Sequence, residues 1–183
     1  MKVSDIPFNM KTSYNSAFHE GANDIDEMKK GVDFLFEKLS TLDDEKEIAI
    51  VHLLLGHFLR VLSQLEDSLS HFRVAYKYFH DNDDKNREID IMYRMGVTYY
   101  FQDDFSKSDE MLQKVIRLSD KFPHASHDKI LHHAYFYLGL SKKSQGIRDL
   151  SEEYFSKCLE LRLMIGDVDL IKQCQDLIMS LNS

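Results

Sequence analysis

Proline and glycine are scarce in this chain, two and seven in 183 residues. An all-β protein needs turn residues between many short strands, so their shortage excludes that class and points to helices. Cysteine is scarce too. Cys158 and Cys174 stand in apolar helical contexts with no CxxC spacing, which argues against a disulfide framework and suits reduced, buried thiols. No apolar run approaches the roughly 18 residues that would span a bilayer, and the opening MKVSDIPFNMKTSYNSAF lacks the continuous apolar core of a signal peptide. The expected location is cytoplasmic, with no membrane partner. Basic blocks are missing and the formal net charge is -8, so direct nucleic-acid binding is not expected.

What the chain does contain is a balance of 43% hydrophobic and 30% charged residues, enough for a soluble, well-packed fold. Residues 1 to 23 are irregular and form an unassigned arm, in which Tyr14, Ala17 and Phe18 have the spacing of one short helical turn. From Ile25, apolar residues recur every three or four positions: Met28, Val32, Leu35, Phe36 and Leu39. This marks a first helix ending near Ser40. Residues 24 to 183 are expected to form one helical-repeat domain, with hairpins over about 44–80, 86–121 and 126–165. Aspartates at 43, 44 and 167 are capping candidates, Pro123 stops the fifth helix, and Gly166 suits a helix terminus before a closing helix over 167–182.

The hairpins repeat. GHFLRVLSQLEDSLSHFRVAYKY from Gly56, GVTYYFQDDFSKSDEMLQKVIRL from Gly96 and GLSKKSQGIRDLSEEYFSKCLEL from Gly139 share one layout, their glycines 40 and 43 residues apart. Leu55, Met95 and Leu138 precede the glycines; Ser68, Ser108 and Ser151 follow by twelve residues, Phe72, Leu112 and Phe155 by sixteen, and Ala75, Val115 and Cys158 by nineteen. Small residues at the glycine and serine positions let paired helices approach closely. Lys142 departs from the pattern, since Leu59 and Tyr99 are apolar there. His52 and Met92 likewise stand where Tyr135 keeps a large aromatic.

This pattern resembles the tetratricopeptide repeat, in a long-helix variant similar to the repeats of kinesin light chains and of Rap-type bacterial peptide-pheromone receptors. The resemblance covers about residues 44 to 166 and implies an all-α fold: a right-handed α-α superhelix of about three hairpins, with an N-terminal helix and a C-terminal capping helix. Rap-type proteins add an N-terminal helical bundle that touches a regulator. The stretch before Asp43 is too short for such a bundle, so a regulator-binding or phosphatase role is not expected. The resemblance does imply a concave face, lined by the first helix of each pair, that takes a peptide or partner segment. Equivalent positions around the glycines put His57, Arg60, Tyr93, Arg94, Tyr100, Phe101, His133, Phe136, Tyr137 and Lys143 on it. Arg60, Arg94 and Lys143 could pair with carboxylates while the rings bury apolar side chains.

The alternatives are weaker. Self-association through the terminal helices would complete an incompletely capped array and make the chain a homo-oligomer. The polar run His80–Asn86 lacks the central glycine and distal glutamate of a calcium loop. His124, His127, His132 and His133 are close in sequence, but no HExxH occurs and His132 and His133 diverge on a helix, so they read as loop and surface residues and no metal is expected. With no glycine-rich phosphate loop and no GxSxG elbow, neither an enzyme nor a cofactor is expected.

Overall fold

A computed structural model describes residues 1–15 and 20–181. After a 3-10 turn at Val3–Asp5 and two short strands, β1 (Thr12–Tyr14) and β2 (Glu20–Ala22), come eight helices: α1 (Ile25–Leu39), α2 (Glu45–Val61), α3 (Leu65–Asp81), α4 (Lys85–Phe101), α5 (Phe105–Lys121), α6 (Ala125–Ser144), α7 (Arg148–Ile165) and α8 (Val168–Leu181). The chain divides into two compact units, Met1–Asp84 and Lys85–Ser183, where the sequence suggests one continuous domain from residue 24.

In the first unit α2 packs along α3, with α1 against α2. The core joins Met28, Val32 and Leu35 of α1 to Val51, Leu55, Phe58 and Leu59 of α2. The arm belongs to this unit. Its Ile6 and Met10 enter the same core, and the absence of a side chain at Gly31 makes room for them: a Cβ there would stand 2.2 Å from the Met10 sulfur. Tyr14 lies on β1, paired with Glu20 of β2, and not on a helical turn; Ala17 and Phe18 lie outside the described residues.

In the second unit α4 packs along α5 and α6 along α7, α5 and α4 both meet α6, and α8 lies on α7. One interlock recurs in the hairpins. A Cβ at Gly56 would meet the Phe72 ring at 2.5 Å, and one at Gly139 the Phe155 ring at 2.6 Å. These second-helix rings therefore lie directly on the first-helix backbone. Ser68 Oγ donates to the Gly56 carbonyl (2.6 Å) and Ser151 Oγ to that of Gly139 (2.9 Å), so the small position is a hydrogen-bonded clasp as well as a gap. At Gly96 the partner is the more pliable Leu112, 2.9 Å from such a Cβ. Each fully buried phenylalanine contributes about 1.5–3 kcal/mol.

The turns are alike as well. Ser63, Asp103 and Gly146 take left-handed φ values of 61°, 59° and 73°. Their N–H groups donate to the carbonyls of Arg60, Tyr100 and Lys143 at 2.9, 3.0 and 3.0 Å. The next N–H in each turn donates to Leu59, Tyr99 and Lys142 at 2.8, 3.0 and 2.9 Å, satisfying the last carbonyls of the first helix. Asp44, Asp104 and Asp167 cap α2, α5 and α8 by accepting from the N–H of Glu47, Lys107 and Leu170.

Candidate functional site

The glycine interlock fixes which way each first helix faces, and the side chains predicted to meet a ligand divide into three groups. On α4 and α6 the half-buried rings of Tyr93 and His133 lie 6.2 Å apart. One to two turns on, Tyr100 stands 5.4 Å from Tyr137, and Phe101 6.0 Å from Tyr137. Burial raises the Tyr100 hydroxyl pKa, opposed by its hydrogen bond with Ser144, so Tyr100 is a neutral side chain with an apolar face. Arg94 Nε donates to Asp90 Oδ2 at 3.0 Å. Exposed Lys143 reaches Ser180 Oγ of α8 at 2.9 Å.

Two predicted contact residues are core instead. Phe136 is 2% exposed and Tyr137 4%. They point inward because Gly139 faces α7, which turns Phe136 toward Phe155 with ring centroids 6.0 Å apart.

The third group is on α2. Arg60 was expected to await a carboxylate, and a carboxylate is already there: Glu20 Oε2 of β2, 2.5 Å from Arg60 Nη2. Thr12 Oγ1 donates to Glu20 Oε1 at 2.7 Å, and His57 Nε2 lies 3.8 Å from the same oxygen. Burial pushes the Glu20 pKa up, but the charges of His57 and Arg60 and the hydrogen bonds outweigh it and hold the group below its ordinary value.

Residues 89–122 match the family model of the tetratricopeptide repeat. That match is one repeat, and the other hairpins share its helix-pair layout. The solved structure of RapI in its apo form superposes with a TM-score of 0.73 at 11% identity, covering 87% of this chain and 57% of that one. Aspartyl phosphate phosphatase F from Bacillus subtilis gives 0.71 at 20% identity, covering 84% and 40%. The kinesin light chain TPR-like repeats from Podosopora anserina give 0.66 at 11% identity, covering 85% and 78%. The chain thus spans 57% and 40% of the first two structures. At these identities the likeness establishes the fold alone. No curated protein matches the sequence.

Sequence reasoning missed two polar networks in the second unit. Lys142, out of place by pattern, forms an ion pair with Asp109 of α5, which is 8% exposed. Ser141 Oγ donates to the other oxygen at 2.7 Å, and Gln145 Nε2 to the first at 3.2 Å. The available signal was Lys142 alone, a cation where Leu59 and Tyr99 are apolar.

The second network surrounds Arg162 of α7, 1% exposed. Its Nη1 lies 2.7 Å from the Leu170 carbonyl, 2.6 Å from Gln173 Oε1 and 3.3 Å from Cys174 Sγ. Its Nε donates to His132 Nδ1 at 3.4 Å, and the guanidinium lies 4.5 Å from the Phe136 ring centroid. None of these partners is a carboxylate. Burial, helped by the Arg162 charge, lowers His132 to about 4. His127 and His132 are therefore core residues, 1% and 4% exposed, not the loop and surface positions expected. In the hairpin of the first unit, His52 and His71 approach to 2.8 Å between their Nδ1 atoms, and burial lowers the pKa of both. Among the described residues no three His, Cys, Asp or Glu side chains group as a metal site, and no helix is long and apolar enough to cross a membrane.

Proposed function

We propose that this chain is a non-catalytic, cytoplasmic tetratricopeptide adaptor that binds a peptide or protein segment along α4 and α6, the first helices of the second unit's hairpins. The observation that supports this reading most is the ring set on α4 and α6. Tyr93 and His133 stand half-buried 6.2 Å apart, beside Phe101 and Tyr100, with Arg94 and Lys143 at the margins. Rings held by a packed helix pair offer contact area at little cost in side-chain entropy, as interface anchors do. Arg94 is already paired with Asp90, so exposed Lys143 is the cation that complements a segment carrying a carboxylate, and the net charge of -8 disfavours nucleic acid as the partner. Phe136 and Tyr137 support the platform from beneath.

The test is a random-peptide display selection on the full chain, followed by titration of the selected peptides against Tyr93→Ala/His133→Ala. The double variant should bind roughly tenfold more weakly or worse with an unchanged melting temperature. Equal affinity for both proteins would remove this surface from the account.

A second reading, self-assembly, is favoured by one observation. Met164 and Val168 at the α7–α8 junction are 77% and 75% exposed, and Met179 on α8 is 61% exposed. Sedimentation at rising concentration distinguishes the two: an adaptor stays monomeric, and an assembling module gains mass.

A further inference from the structure

Cys158 and Cys174 are sixteen residues apart in sequence, yet their sulfurs lie 3.1 Å apart where α8 crosses α7. Both are free thiols and both are fully buried. Arg162 Nη1 points at Cys174 Sγ from 3.3 Å. A buried guanidinium demands negative charge nearby, and its other partners, a backbone carbonyl, an amide oxygen and a neutral imidazole, supply dipoles only. Of the groups that touch it, the Cys174 sulfur is the one able to become an anion.

We infer that Cys158 and Cys174 form a hydroperoxide-sensitive dithiol site, in which Cys174 is the attacking thiolate, Cys158 resolves it, and the resulting disulfide staples α8 onto α7. The reaction balances with one hydroperoxide. The Cys174 thiolate attacks the peroxide oxygen, the O–O bond breaks, and a sulfenic acid forms as hydroxide or alkoxide departs. The Cys158 sulfur then attacks the sulfenic sulfur, its proton leaves with the expelled hydroxide as water, and two thiols have been oxidised as one peroxide is reduced.

The direction of the pKa shifts agrees with this assignment. The hydrogen bond with Cys158 lowers Cys174, and the Arg162 charge adds to it against burial. Cys158 is raised by the same hydrogen bond and by burial. Access comes from α8 itself. Cys174 is the one residue of that helix that is buried, so α8 is held largely by its polar contacts with Arg162 and Lys143 and opens locally more readily than the hairpins do. The staple would remove that opening.

The experiment uses the full chain at neutral pH with hydrogen peroxide as the probe. After quenching and alkylation in denaturant, the intact mass should be lower by two hydrogens with no alkylated cysteine, and a digest should contain the Cys158–Cys174 linked peptide. In Cys158→Ser, a sulfenic acid on Cys174 should be trapped by dimedone, and Cys174→Ser should give no adduct. Hydrogen exchange of the α8 amides should slow by roughly a hundredfold on oxidation, the scale expected for closing a loop of about 15 residues. Two free thiols in the folded chain, under conditions that oxidise the urea-unfolded chain, would overturn the site. An adduct in Cys174→Ser instead would overturn the assignment of the attacking sulfur, and unchanged α8 exchange would overturn the staple. The serine variants leave the test readable even if one fails to fold, because the linked peptide is measured on the unaltered chain.

Discussion

Among the described residues each unit buries one arginine, and the two solve the same problem differently. Arg60 in the first unit, 9% exposed, meets the carboxylate of Glu20 at 2.5 Å, delivered by a strand outside the repeats. Arg162 in the second unit is more deeply buried and meets a carbonyl, an amide, a sulfur and two rings. The first arginine is compensated by a carboxylate, and the second by dipoles and rings with the Cys174 sulfur as the ionisable neighbour. Removing a partner should therefore have unequal consequences, because a buried ion pair is costly to break from one side and cheap to replace whole.

The largest effect is expected from Glu20→Gln. It leaves Arg60 buried without its carboxylate and should cost about 3 kcal/mol, read as a lower urea midpoint. A change under about 0.5 kcal/mol, the size of ordinary surface substitutions, would mean that the hairpin of the arm is held by its apolar contacts alone.

Acid should act next, and on the second unit through His132. That group binds its proton at about 4 when folded, against an ordinary value of 6.5, so the unfolded chain takes up the proton first as pH falls. Stability is fully present above pH 6.5 and is lost progressively toward pH 4. His52 and His71 are shifted in the same direction and add to the loss from the first unit. The ring-proton resonances of His132 should titrate near 4 in the folded chain; titration near 6.5 would show that the imidazole is not enclosed with Arg162.

The smallest effect is expected where the second unit differs most from the first. Arg162→Met keeps the volume against Phe136 and removes the charge together with its need for partners, so stability should change by no more than about 1 kcal/mol in either direction. A loss as large as that of Glu20→Gln would show that the dipoles around Arg162 are as strong a partner as a carboxylate.

The repeat architecture was legible because it rests on local signals. Apolar residues at helical spacing locate the helices, and glycine, serine and aromatic positions locate the interlock. The turns were legible as positions but not as conformations, since Ser63 and Asp103 adopt left-handed φ without being glycine. Harder to read were the contacts between distant segments. Nothing local to Glu20 shows that it will meet Arg60 forty residues later, and His132, Arg162 and Cys174 become one cluster only when α6, α7 and α8 stack. The ligand-face prediction failed in part for a related reason. Counting from the glycine gives the helix but not the depth of each residue, so Phe136 and Tyr137 were grouped with Tyr93 and His133 although they lie beneath the surface.

The claim that the first helices form the contact surface is tested most directly by amide chemical-shift mapping of the isotopically labelled full chain with the tightest peptide from the display selection. The account predicts perturbations concentrated on α4 and α6, around Tyr93, Phe101, His133 and Lys143. Perturbations confined to the second helices α5 and α7 would contradict it.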